Sequence, residues 1–165
     1  MKIVIPFLVV CLLCTATAIQ AENEAVLNQA IKDLNARAKT DADKKFVLSA
    51  VSQQTQVPEK TLQSQMATTH LSYGELLVAD SLAEGSGKTL TNIVALKQGK
   101  GWAALSTEVK INPSSVLDRL RTTGKVVQMS QAKSKQAESV KKPNNPDSAV
   151  LQSHAPMAAP RMGHY

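Results

Sequence analysis

Apolar positions between Glu22 and about Thr123 recur every three or four residues, and no stretch sustains the two-residue alternation of a strand. Leu27, Ile31, Leu34 and Ala38 define one face of a first helix. That helix is predicted to start near Asn23, a good cap residue, with Glu24 in its first turn against the helix dipole. A second helix follows Thr40, whose pairing with Asp43 resembles a capping box, and Phe46, Val47, Ala50 and Val51 form its buried stripe. Val57-Pro58 breaks the chain and restarts it, with Pro58 suited to the first helical position and Leu62 and Met66 facing inward.

A clearer capping box, Ser72-Tyr73-Gly74-Glu75, opens the most apolar helix of the chain, carrying Leu76, Leu77, Val78, Leu82 and Ala83. Gly85-Ser86-Gly87 ends it. Thr89 or Thr91 caps the next helix, where Leu90, Ile93, Val94 and Leu96 are apolar. After the turn Gly99-Lys100-Gly101, a short helix carries Trp102, Leu105 and Val109. Trp102 is expected to pack against the helix beginning at Leu90 and close that turn. Asn112-Pro113 caps a last helix with Val116, Leu117 and Leu120 inside, and Gly124 is predicted to end it. The pattern implies an all-α fold, a small bundle of about six to seven short helices.

Beyond Lys125 the periodicity fails. Ser, Gln, Lys, Ala and Pro dominate from Met129 to Tyr165, too few large apolar groups to offset chain entropy, so residues 126–165 are predicted to form a disordered basic tail. Deleting residues from Met129 onward is accordingly expected to leave the fold intact. A short helix within residues 131–140 would have no evident packing face. The segment from Val51 to Met66 also lies over that from Leu105 to Leu120 without a gap. Two helix pairs with the same packing needs account for that match as readily as an internal repeat.

The other end of the chain is different in kind. Lys2, an apolar run from Ile3 to Leu13 and the small-residue pattern Ala16-Thr17-Ala18 read as a secretory signal peptide over residues 1–21, cleaved near Ala18 or Ala21. An uncleaved anchor ranks second, because a spanning helix needs about 20 apolar residues and this run is shorter. Neither Cys11 nor Cys14 follows a small residue, which argues against lipidation, and both lie within residues 1–21. A mature exported chain would therefore hold no disulfide and no thiol chemistry. Residues 22–125 form the predicted helical domain.

Charge changes little in this picture. The chain carries 19 basic and 13 acidic side chains. Residues 22–125 hold 13 and 11 of these, and residues 126–165 hold 5 and 2, so the domain itself is not built as a polyanion surface. The tail could make weak contact with anionic surfaces.

Few motifs suggest chemistry. Residues 90–121 resemble a helix-turn-helix, whose second helix would offer Asn112, Ser114, Ser115, Asp118, Arg119 and Arg121 to a nucleic acid. Asp118 would repel phosphates, and an export signal argues against DNA, so nucleic-acid binding is an alternative only. Gly85-Ser86-Gly87-Lys88-Thr89 looks like the end of a phosphate-binding loop, but the motif needs a glycine where Leu82 stands and a strand before it. No Ser-His-Asp set or HExxH motif is present, and the chain is expected to be neither an enzyme nor a cofactor protein. His154, Met157, Met162 and His164 cluster in the tail. Thioether and imidazole groups suit copper(I), although this spacing matches no fixed ligand geometry.

The elements YGELL (73–77), SGK (86–88), IVALK (93–97) and GKGW (99–102), with VPEKTLQSQ (57–65) before them, resemble a family of small exported bacterial proteins of unknown function. The likeness spans about Val47 to Leu120 and implies a helical exported protein, with no functional residues to carry over. The expected role is that of a non-enzymatic envelope protein, periplasmic or extracellular, acting as an interaction module for an unidentified protein or envelope component.

Overall fold

The computed structural model describes residues 21–140, and every regular element in that range is a helix. They are α1 (21–35), α2 (Asp41–Thr55), α3 (Glu59–Thr69), α4 (Tyr73–Ser86), α5 (Leu90–Lys97), α6 (Trp102–Glu108) and α7 (Pro113–Val140). The all-α prediction holds, and most of the expected helix starts hold with it. Asp43 Oδ2 accepts from Thr40 N–H at 3.2 Å while Thr40 Oγ1 accepts from Asp43 N–H at 3.1 Å, so the box at α2 is complete. Glu75 Oε2 accepts from Ser72 N–H at 3.0 Å, and Thr89, rather than Thr91, caps α5. Asn112 Oδ1 accepts from Ser114 N–H at 2.9 Å ahead of α7. Pro58 stands one residue before its predicted place, as the cap of α3.

Helix α4 is the centre. Gly74 and every residue from Leu76 to Leu82 are buried, so this stretch of α4 has no solvent face, and only its last turn, with Glu84 and Gly85, is exposed. Helices α2, α3, α5 and α7 pack around it. Leu27, Ile31 and Leu34 of α1 join the same core, together with Val47 and Val51 of α2 and Leu62 of α3. Trp102 and Leu105 of α6 and Val116 and Leu120 of α7 complete it. Trp102 is 2 % exposed and Lys97 Nζ of α5 sits 4.8 Å from its ring centroid, so the expected packing across the Gly99–Gly101 turn is present.

Two expectations are overturned. Gly124 does not end the last helix: α7 continues for 28 residues to Val140, well past the predicted boundary at 125. Val127 is fully buried, and Gln131 Nε2 donates to Arg37 O at 3.0 Å and to Asp43 Oδ1 at 2.6 Å. These anchors hold the extension against the turn between α1 and α2. Residues 126–140 are therefore helical and tied to the domain through Val127 and Gln131, while past Gln131 only Ser134 is half-buried and residues 132, 133, 135–137 and 139 are exposed, so that stretch has no packing face of its own.

The second concerns Glu24, whose carboxylate serves another helix. Glu24 Oε1 accepts from Trp102 N–H at 3.0 Å and Oε2 from Ala103 N–H at 2.7 Å, so α1 caps α6 across the fold. Asn28 Nδ2 steadies the carboxylate at 3.0 Å. Gly101 is required here, because a Cβ on it would collide with that carboxylate. Asn35 pins the other end of α1: its Oδ1 accepts from Gly74 N–H at 2.9 Å and its Nδ2 donates to Ser72 Oγ at 3.0 Å. Gly74 lets the two helices close, since a Cβ there would lie 2.9 Å from Ile31 O.

Candidate functional site

With α1 pinned to α4 and α6, and its following turn to α7, its remaining flank meets α7 across a groove of about 470 Å³. The α1 side presents residues 26, 29, 30, 33, 34 and 37, and the α7 side residues 117, 120, 121, 124, 125 and 128. Both rows follow the same three-and-four spacing; the α1 face from 26 to 34 runs beside α7 for about 12 Å at 1.5 Å per residue, and Arg37 extends the row from the turn beyond α1.

The floor is apolar. Leu34 and Leu120 are buried at its base, Ala30 and Leu117 are half-buried along it, and Val26 remains 37 % exposed at one end. The rim is polar and mostly cationic, with Arg37 on the α1 side, Arg121 and Lys125 on the α7 side, and one acid, Asp33. Asp33 Oδ1 accepts from Gln29 Nε2 at 2.8 Å on its own helix. Among the described residues the ion pairs are Lys44–Asp41, Lys100–Glu108 and Arg119–Glu84, so the three groove cations are not neutralised by any of them.

The structure places the sequence-derived residues unevenly. Ser114 and Ser115 are exposed in the first turn of α7, and Asp118 is exposed just beyond them. Arg119 points back to Glu84 of α4 and pairs with it at the surface through one guanidinium nitrogen. Arg121 is exposed and belongs to the groove rather than to the row of Ser114 and Ser115. His154, Met157, Met162 and His164 lie outside the described residues. Among the described residues no three His, Cys, Asp or Glu side chains come together as a metal site, and no helix is long and apolar enough to cross a membrane.

One buried ionisable group stands apart. Asp80 of α4 is 8 % exposed, its Oδ2 has no hydrogen-bond partner, and burial raises its pKa to about 6. It does not line the groove. Near the groove, Asp43 is held below the usual carboxylate range, first by its hydrogen bond from Thr40 and further by Gln131.

Sequence reasoning missed the groove because its α7 wall lies partly beyond the predicted end of that helix. The signal was present: Val116, Leu120, Val127 and Gln131 continue one helical face through Gly124, with spacings of four, seven and four. Comparison with protein-family models, curated proteins and solved structures finds no match to this chain.

Proposed function

We propose that this chain is a non-enzymatic, exported interaction module of the bacterial envelope, and that the groove between α1 and α7 is its working surface. The observation that carries this reading is the groove itself: an apolar floor with a cationic rim, on a scaffold whose other helices bury their apolar stripes against α4. The reading of residues 1–21 as a cleaved signal supplies the location.

The experiment has two parts. Fractionating the cells and sequencing the N-terminus should give an envelope product starting just after Ala18 or Ala21; an uncleaved cytosolic product would remove the export reading. A photo-crosslinking side chain at Arg121 should then capture a molecule in those cells, while the same group at exposed Glu59 on α3 should not. Equal adducts at both positions, or none at 121, would remove the groove as the working surface.

A further inference from the structure

The inference rests on that reading of the groove and names its occupant. We infer that the groove between α1 and α7 binds a single-chain amphiphilic anion, a fatty-acid carboxylate, with the alkyl chain along the apolar floor and the head group at the rim. Shape is the first argument. The space is about 470 Å³, within the range of roughly 300–1,000 Å³ typical of small-molecule sites. It is elongated, following two to three helical turns. A chain of about a dozen carbons, with C–C bonds of about 1.5 Å, reaches along most of that length.

Charge is the second argument. Arg37, Arg121 and Lys125 face the groove against the single carboxylate of Asp33, which is already engaged by Gln29. An anion is thus preferred to a cation or a neutral head group. The same surplus disfavours the chain's own residues 141–165, where Lys141, Lys142 and Arg161 outnumber Asp147.

Gly124 is the third. It sits inside α7, where glycine weakens a helix, and its φ is not in the left-handed region. A Cβ there would meet only Arg37 Nε, at 3.7 Å, so packing does not require glycine either. What the missing side chain preserves is open space between the apolar floor and the Arg37 guanidinium.

The test titrates the purified protein calorimetrically with laurate, below its micelle concentration, and with two twelve-carbon controls: dodecyltrimethylammonium and dodecyl maltoside. Laurate is expected to bind at sub-millimolar concentration, and each control at least tenfold more weakly. Gly124→Phe, which fills the groove, should abolish laurate binding. Arg121→Glu with Lys125→Glu should weaken it tenfold or more. Val26→Glu, at a position already exposed, gives a second block should Gly124→Phe disturb folding. Equal affinity for the three head groups, or laurate binding that survives both blocking variants, would overturn the inference. So would a dimer of the free protein that Gly124→Phe dissociates, since a second copy would then fill the groove. A crosslinked protein at residue 121 without laurate binding would reject the lipid and leave the groove standing; loss of both results would reject both.

Discussion

At the scale of single residues, Glu24 and Gly101 form a pair across the fold. The carboxylate satisfies two N–H groups at the start of α6, and only glycine at 101 leaves room for it. Removing such a cap costs about 1–2 kcal/mol, so Glu24→Ala should lower the unfolding free energy in urea by that amount. Gly101→Ala should cost a similar amount, because the new methyl displaces the carboxylate. Combined, the two should be markedly less costly than their sum, since the clash disappears with the carboxylate. Strict additivity in that double-mutant cycle would mean that Glu24 and Gly101 act independently. Both residues were noticed in the sequence, one as a first-turn acid and the other as part of a turn. Their partnership was not legible there, because the carboxylate meets N–H groups 78 and 79 positions away and no local spacing encodes that distance. Asn35 is the same case: it bridges to Ser72 and Gly74 of α4 and gives no periodic signal of its own.

The helices themselves were far more legible, and the reason is local chemistry. Capping boxes at Thr40 and Ser72, the Asn112-Pro113 start and the apolar faces of α1 to α6 all act within one or two turns. Two breaks were legible even where the left-handed residue is not glycine, although α1 stops at residue 35, short of Ala38, and left-handed His70 ends α3 with no such signal. Gln56 and Lys110 adopt φ of 58° and 61°, yet proline follows within three residues of each and marks the break. These two residues also correspond in the ungapped match of 51–66 with 105–120, so both helix pairs turn in the same way. The reading failed at α7. A glycine with a polar, Lys- and Ser-rich sequence after it looks like an ending, and the anchors beyond it are one valine and one glutamine. Ending the chain at Lys125 should therefore cost about 3 kcal/mol: about 1.5–3 for burying Val127 and about 0.5–1.5 for each Gln131 hydrogen bond, less what an incomplete groove relaxes. Ending it at Val140 should leave the thermal midpoint of the full chain unchanged. Equal midpoints for the two truncations would return residues 126–140 to the tail. The groove shares this fate, since two of its α7 wall residues, Lys125 and Gln128, stand at or past the predicted boundary.

For the whole molecule, the buried and exposed acids pull stability in opposite directions with pH. Asp80 has a folded pKa of about 6, against an ordinary value of 3.8, because burial penalises its charge. Between those values the folded chain holds a proton that the unfolded chain has released. Unfolding there releases a proton, so stability falls as pH rises from about 3.8 to about 6 and is level above that. The full effect is about 3 kcal/mol, at 1.36 kcal/mol for each pH unit of that interval. Asp41 and Asp43 behave oppositely. Lys44 lowers the first and Thr40 the second, so the stability they contribute is present above pH 3.8 and is lost as pH falls through their depressed values. The sum is a maximum in acid, near pH 4, rather than at neutrality. The thermal midpoint should accordingly be roughly 5–10 °C higher at pH 4.5 than at pH 7.5. Asp80→Asn, which cannot ionise, should raise the midpoint at pH 7.5 and remove most of that difference. A carboxyl that disfavours folding at neutral pH, on the most buried helix of the molecule, has the opposite effect to Asp41 and Asp43. If Asp80→Asn lowers the midpoint at pH 7.5, the charged carboxylate has a partner in solution, and its burial is not what sets the acid side of the stability curve.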